Sequence, residues 1–259
     1  MEKLRQQIEQ RLSAVTGDAC FYYENLATGV CFGHAADKPV VAASVIKLAV
    51  LIEAFRQMDA DAVRANEMFV IARTDKLPSC GALNYLHDGL CVTLRDLCVL
   101  MTILSDNTAT NLLIKRLGIG NINDTLRMLG AEKMTLNRLL FDREASSRGI
   151  ENYITAREAG LLLKRLYDGE AVSGPASEDM LSILKDQRLN GKIPFLLPHS
   201  VKIAHKTGED DGITHDVGIV YARQPFIVCF FGEHVSPPEF ERAMQDITLM
   251  LYENAERIR

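Results

Sequence analysis

Hydrophobic and polar positions change their period along this chain. Residues 2 to 14 carry the three-to-four spacing of an amphipathic helix. Ala19–Asn25 and Val30–Gly33 read as short strands joined by the turn Ala27-Thr28-Gly29. Between residues 42 and 190 the pattern is almost wholly helical. VAASVIKLAVLIEAFRQM predicts one apolar helix and TLRDLCVLMTILSD another, with Thr93 as its cap. Further helices are expected over Asn107–Leu117, Ile122–Leu129, Thr155–Tyr167 and Glu178–Asp186. Residues 131 to 153 form a long stretch of weak periodicity, and loops of that length in compact domains are usually functional. Strand signals return at Val201–His205, Asp216–Ala222 and Phe226–Phe231, and Phe240–Ile258 closes the chain as a helix.

Strands near both ends thus bracket a helical insert. The expected class is α+β: an antiparallel sheet built from both chain ends, with the terminal helices on one face, and an all-helical lobe. The expected organisation is one domain over residues 1–259, with a sheet lobe from 1–41 and 196–259, a helical lobe from 42–195, and a cleft between them.

Composition narrows the function. The chain has 259 residues, enough for one sizeable core, and 47% hydrophobic against 24% charged residues is ordinary for a globular protein. The net charge of −5 has no clustered run behind it, so nucleic acid is not expected as a partner. The polar start MEKLRQQIEQRL has neither the basic beginning nor the apolar middle of a secretory leader, and no apolar run reaches membrane-spanning length. Cysteines 20, 31, 80, 91, 98 and 229 form no CxxC and no zinc spacing with histidine. They read as reduced thiols packed as small hydrophobes, and the expected compartment is the cytoplasm.

Three short motifs carry candidate chemistry. Ser44-Val45-Ile46-Lys47 places a hydroxyl and an amine on one helical face within an apolar run, where desolvation favours the neutral amine and so a base for the hydroxyl. Ser44 near a helix start also offers its N–H to developing negative charge. Ser105-Asp106-Asn107 lies at a helix junction: it is good capping material, and equally a site where Ser105 relays a proton and Asn107 binds a substrate carbonyl or Lys47. Lys206-Thr207-Gly208 ends a strand. It reads as a strand edge and turn, or as a wall where Lys206 and Thr207 take a substrate carboxylate, Gly208 admits close approach, and Glu209 offers a second N–H to an oxyanion.

Taken together, in this order and on these elements, the motifs resemble the class A β-lactamases and their relatives among the penicillin-recognising enzymes. SDNTATNLLIKRLG, the LNR at 136–138, and VKIAHKTG followed by HDVGIV extend the resemblance over roughly residues 20 to 255. It implies a two-lobed fold and a serine hydrolase without metal or organic cofactor. Ser44 attacks a lactam carbonyl, Lys47 is the base, and Ser105 passes the proton to the departing nitrogen. Asn107, Lys206 and Thr207 orient a small β-lactam or related acyl substrate. No membrane or nucleic-acid partner is implied, and a monomer is expected.

The chain departs from the family pattern twice. The glutamate that positions the deacylating water belongs two residues after Asn137-Arg138, and Leu140 stands there. Asp142 or, second, Glu144 is the expected substitute, and Arg138 is expected to close the loop by pairing with Glu151. The arginine that often follows the Lys-Thr-Gly strand is also missing; its place near Val217 is apolar, and the preceding His215 reads as structural. Two alternatives therefore stand beside a β-lactamase: a serine amidase, peptidase or esterase on another acyl substrate, and a penicillin-binding module that acylates without turnover. GxSxG, HExxH and GxxxxGK are absent, and Gly118-Ile119-Gly120 reads as a helix terminus.

Overall fold

The computed structural model describes residues 2–257; Ile258, where the sequence reading ends the last helix, lies outside them with Met1 and Arg259. The chain opens with α1 (Glu2–Ser13), β1 (Asp18–Asn25), β2 (Cys31–His34) and β3 (Val40–Val41), and a 3-10 turn over Ala43–Ile46 leads into α2 (Lys47–Asp59). The ladder of β4 (Met68–Ile71) and β5 (Leu90–Thr93) precedes α3 (Leu94–Ile103), α4 (Asn107–Leu117) and α5 (Ile119–Met128). Then come α6 (Arg143–Ser147), β6 (Tyr153–Ile154), α7 (Ala156–Tyr167) and α8 (Gly174–Lys185). Strands β7 (Ile203–Asp210), β8 (Ile213–Val220) and β9 (Phe226–Glu233) lead to α9 (Pro237–Arg257). No helix among the described residues is long and apolar enough to cross a membrane.

Two compact units emerge. One, residues 1–45, 154–164 and 189–259, holds the antiparallel sheet in the order β2-β1-β9-β8-β7. The α+β class with a sheet drawn from both chain ends is what the structure shows. Ile8 and Leu12 of α1 and Phe240, Met244, Ile247 and Leu251 of α9 cover one face, against Phe21, Tyr23, Phe226, Val228 and Phe230. Strands β1 and β9 are buried almost continuously rather than alternately. Residues 154–164, expected with the helical lobe, belong to this sheet unit. Their anchor is Gly160: a Cβ there would stand 2.5 Å from the Tyr22 ring, so only glycine lets α7 approach so closely. Arg157 adds an ion pair with Asp37 at 2.8 Å and lies over the same ring.

The second unit, residues 46–153 and 165–188, is built around α2. Every residue from Lys47 to Phe55 is buried, as expected of a helix apolar on all sides, and α3, α4, α5 and α8 pack around it. The fully buried Glu53 carboxylate is satisfied by Arg56, Gln57 and Thr125, each at 2.6 Å. Thr93 caps α3 as its sequence indicates, accepting from the Asp96 N–H. Several elements differ from the sequence reading: β3, α6 and β6 were not expected, and β7 and β8 have other bounds than Val201–His205 and Asp216–Ala222. The helix expected from residue 41 begins only at Lys47: Ala43 has a φ of 42°, outside the α region, and the 3-10 turn over Ala43–Ile46 precedes α2. The β4–β5 ladder is new. Met68 and Val70 face solvent while Ile71 is buried, so its strands are apolar on both sides and show no alternation.

Candidate active site

In the helical unit the site grows from Lys47, the first residue of α2 and only 1% exposed. A lysine nitrogen so far from water needs a partner for each proton. Nζ donates to Ser105 O at 2.8 Å, to Asn107 Oδ1 at 2.9 Å and to Ser105 Oγ at 3.0 Å. Asn107 is oriented from the other side: Nδ2 donates to Pro78 O at 3.1 Å and its backbone N–H to Cys80 O at 3.2 Å, leaving Oδ1 for the lysine. Between them Asp106 does the capping work that its residue type suggested. Its Oδ1 accepts from Ala109 N–H, and its Oδ2 accepts from the N–H groups of Ala82 and Leu83. Ser105 is thereby held at a φ of 53°.

Ser44 lies in the 3-10 turn over Ala43–Ile46, three residues before Lys47 in the sequence. Within the sheet unit its backbone lies against β7. A Cβ on Gly208 would stand 3.3 Å from Ser44 N and 3.1 Å from Val45 Cγ2, so glycine at 208 permits the approach. On the same strand Lys206 and Thr207 are buried, with Lys206 Nζ donating to Thr207 O at 2.8 Å. Glu209 follows, with 58% of its side chain exposed.

His215 faces Gly208 across β7 and β8. Its Nε2 donates to Val41 O at 2.8 Å, and its Nδ1 accepts from Gly232 N–H at 3.2 Å, which defines a neutral tautomer. Complete burial pushes its pKa down to about 4. Val217 is fully buried opposite Lys206. The nearby cation that the sequence did not flag is Lys192, whose Nζ touches the end of β7. Among the described residues one group has metal-ligand character, Asp18, Glu233 and His234, and there Lys38 already pairs with Asp18 at 2.7 Å.

The loop over residues 131–153 is tied down from within. Asn152 Oδ1 accepts from the N–H groups of Asn137 and Arg138, and Arg138 pairs with Glu151 at 2.5 Å. The pair is largely buried, 14% and 18% exposed, rather than the solvated contact expected of a loop. Asn111 of α4, also unflagged by the sequence, clamps position 140: its Oδ1 accepts from Leu140 N–H and its Nδ2 donates to Leu140 O, both at 2.9 Å. The clamped side chain has no base. Asp142 caps α6, accepting from Ala145 N–H at 2.9 Å, while Glu144 is 84% exposed and 3.6 Å from Arg148.

This geometry agrees with comparisons to known proteins. The sequence profile of the β-lactamase enzyme family matches residues 3–255. The chain belongs to the β-lactamase enzyme family. Its fold is that of a β-lactamase from Sphaerobacter thermophilus DSM 20745, at 29% identity and a TM-score of 0.91 over 100% of this chain and 98% of that one. It is also similar to PBP-A, at 27% identity and a TM-score of 0.90 over 100% and 97% of the two chains. A leucine-to-glutamate variant of PBP-A, 26% identical with a TM-score of 0.90 over 100% and 98%, was captured as an acyl-enzyme complex with penicillin G. In family terms, then, this chain has a β-lactamase-like fold with hydrolase relatives.

Proposed function

We propose that the protein is a serine hydrolase of β-lactamase type that opens the lactam ring by forming an acyl-enzyme on Ser44, and that release of the acyl group is its slow step. The observation that carries the reading is the buried Lys47 nitrogen, bonded by Ser105 and Asn107 and set three residues beyond Ser44. Lys47 acts in its neutral form, taking the Ser44 Oγ proton as Oγ bonds to the lactam carbonyl carbon. The N–H groups of Ser44 and Glu209 hold the oxyanion. Collapse of the tetrahedral intermediate breaks the carbon–nitrogen bond, and Ser105 delivers the proton to the departing nitrogen. Asn107, Lys206 and Thr207 orient the substrate.

Slow release follows from position 140. Asn111 fixes its backbone, yet leucine offers no group to deprotonate water. Asp142 is engaged as a helix cap, and a carboxylate as exposed as Glu144 does not hold a water in one place. The same observation favours a second reading, a penicillin-binding protein that acylates and stays modified.

The test is the intact mass of the protein after mixing with excess penicillin G. An adduct on Ser44 that forms quickly and decays over many minutes is expected, and Ser44→Ala forms none. An adduct that outlasts the penicillin moves the assignment to the second reading. Wild-type levels of adduct on Ser44→Ala would sink the mechanism.

A further inference from the structure

The Gly208 carbonyl and the Glu209 N–H are two ends of one planar peptide unit, so whatever pins the oxygen also aims the N–H. That unit needs a restraint. It follows a glycine, and β7 is an edge strand with a ladder on one side only. Lys192, 4% exposed and outside all three motifs, supplies one. Its Nζ reaches Gly208 O at 3.4 Å, His215 O at 3.2 Å, Glu209 Oε1 at 2.9 Å and Glu241 Oε1 at 3.7 Å. Gly208 and His215 are direct partners across β7 and β8, so one ammonium holds both sides of the ladder.

The lysine is itself held. Asn190 Oδ1 lies 3.0 Å from His205 Nε2, Gly191 O accepts from Gln245 Nε2 at 2.8 Å, and Ile193 N–H donates to Asp216 Oδ2 at 3.0 Å. Asp216 is in turn bonded to His205 Nδ1 at 2.9 Å. The segment carrying Lys192 is therefore anchored on both sides of it. An ammonium buried this deeply is costly unless its bonds are well made.

We propose that Lys192 is a positioning residue: its ammonium, bonded to the Gly208 and His215 carbonyls and the Glu209 carboxylate, fixes the peptide unit that presents the Glu209 N–H to the oxyanion. This rests on the reading of Glu209 as an oxyanion donor.

The experiment compares wild type with Lys192→Met and Lys192→Arg by two readouts. In the free protein, the Glu209 amide is followed by nitrogen–proton correlation spectra and hydrogen exchange. In the penicillin G acyl-enzyme, the ester carbonyl stretch and the acylation rate at saturating penicillin are measured. Lys192→Met is expected to shift the Glu209 amide and speed its exchange, and to raise the carbonyl frequency. Acylation should slow about tenfold while non-covalent affinity stays within about twofold. Lys192→Arg, which keeps a charged donor, should restore most of each. A Lys192→Met protein with the wild-type Glu209 amide and carbonyl frequency overturns the proposal. If Lys192→Met does not fold, Lys192→Gln replaces it with the same expected directions, and wild-type readouts there overturn the proposal equally. A wild-type protein that forms no adduct overturns the hydrolase reading alone, because the amide readout needs no substrate.

Discussion

At the scale of single residues, burial decides what a titratable side chain does. His215 resembles a catalytic histidine only in its place beside the third motif. Both ring nitrogens are committed to backbone groups, and its folded pKa near 4 keeps it neutral. The sign of its contribution follows. The unfolded chain takes up the proton near the ordinary histidine value while the folded chain refuses it. Stability is therefore whole above about pH 6.5 and falls as pH drops toward 4, by about 3 kcal/mol at most for this group. Melting temperature measured from pH 8 to pH 4 should decline in that window, and His215→Gln should flatten that part of the profile. An unchanged slope in the variant would assign the acid sensitivity elsewhere.

At the scale of elements, the loop before α7 is where the proposed acylation and release part. Its main chain is held by asparagines rather than by regular structure. Asn152 staples residues 137 and 138, and Asn111 grips both backbone groups of Leu140. A new side chain at 140 would thus inherit a fixed backbone. Leu140→Glu is expected to speed decay of the penicillin adduct tenfold or more while leaving its formation within about threefold. Stopped-flow acylation together with the time-resolved mass spectrum separates the two. Decay as slow as in wild type would show that position 140 does not address the acyl carbonyl.

At the scale of the whole molecule, the six cysteines are all free and sort by burial. Burial raises the Cys20 thiol to about 11, the Cys98 thiol to about 12, and that of Cys229 well above its ordinary range. Cys31 and Cys91 are exposed and Cys80 is half-buried. The thiolate is the reacting form, so iodoacetamide on the native protein should modify Cys31, Cys91 and, more slowly, Cys80. The buried three should react only after denaturation, as intact mass before and after guanidinium will show. Rapid labelling of all six in native buffer would mean that the packed interior opens far more readily than its burial implies.

Ser44, Lys47, Ser105, Asn107 and the Lys206-Thr207-Gly208 strand could be picked out as candidates in the sequence because the chemistry proposed for them depends on covalent spacing. Three residues along a turn, a helix junction and a strand end are local facts. Most helices and the sheet strands were legible for the same reason: their periodicity is written in neighbouring positions. The tertiary structure decided what depends on residues far apart in the chain. Nothing near position 111 announces that its amide will close on Leu140, and nothing in the 190s shows that a lysine there will reach Gly208 and His215. The capture of residues 154–164 by the sheet unit involves Gly160 facing Tyr22, a contact across 138 positions of sequence, and the Arg157–Asp37 ion pair. The β4–β5 ladder escaped notice because its strands are apolar on both sides. Hydrogen bonds and close packing act over a few ångströms whatever the separation along the chain, so sequence alone determined which groups are available, and folding decided which of them meet.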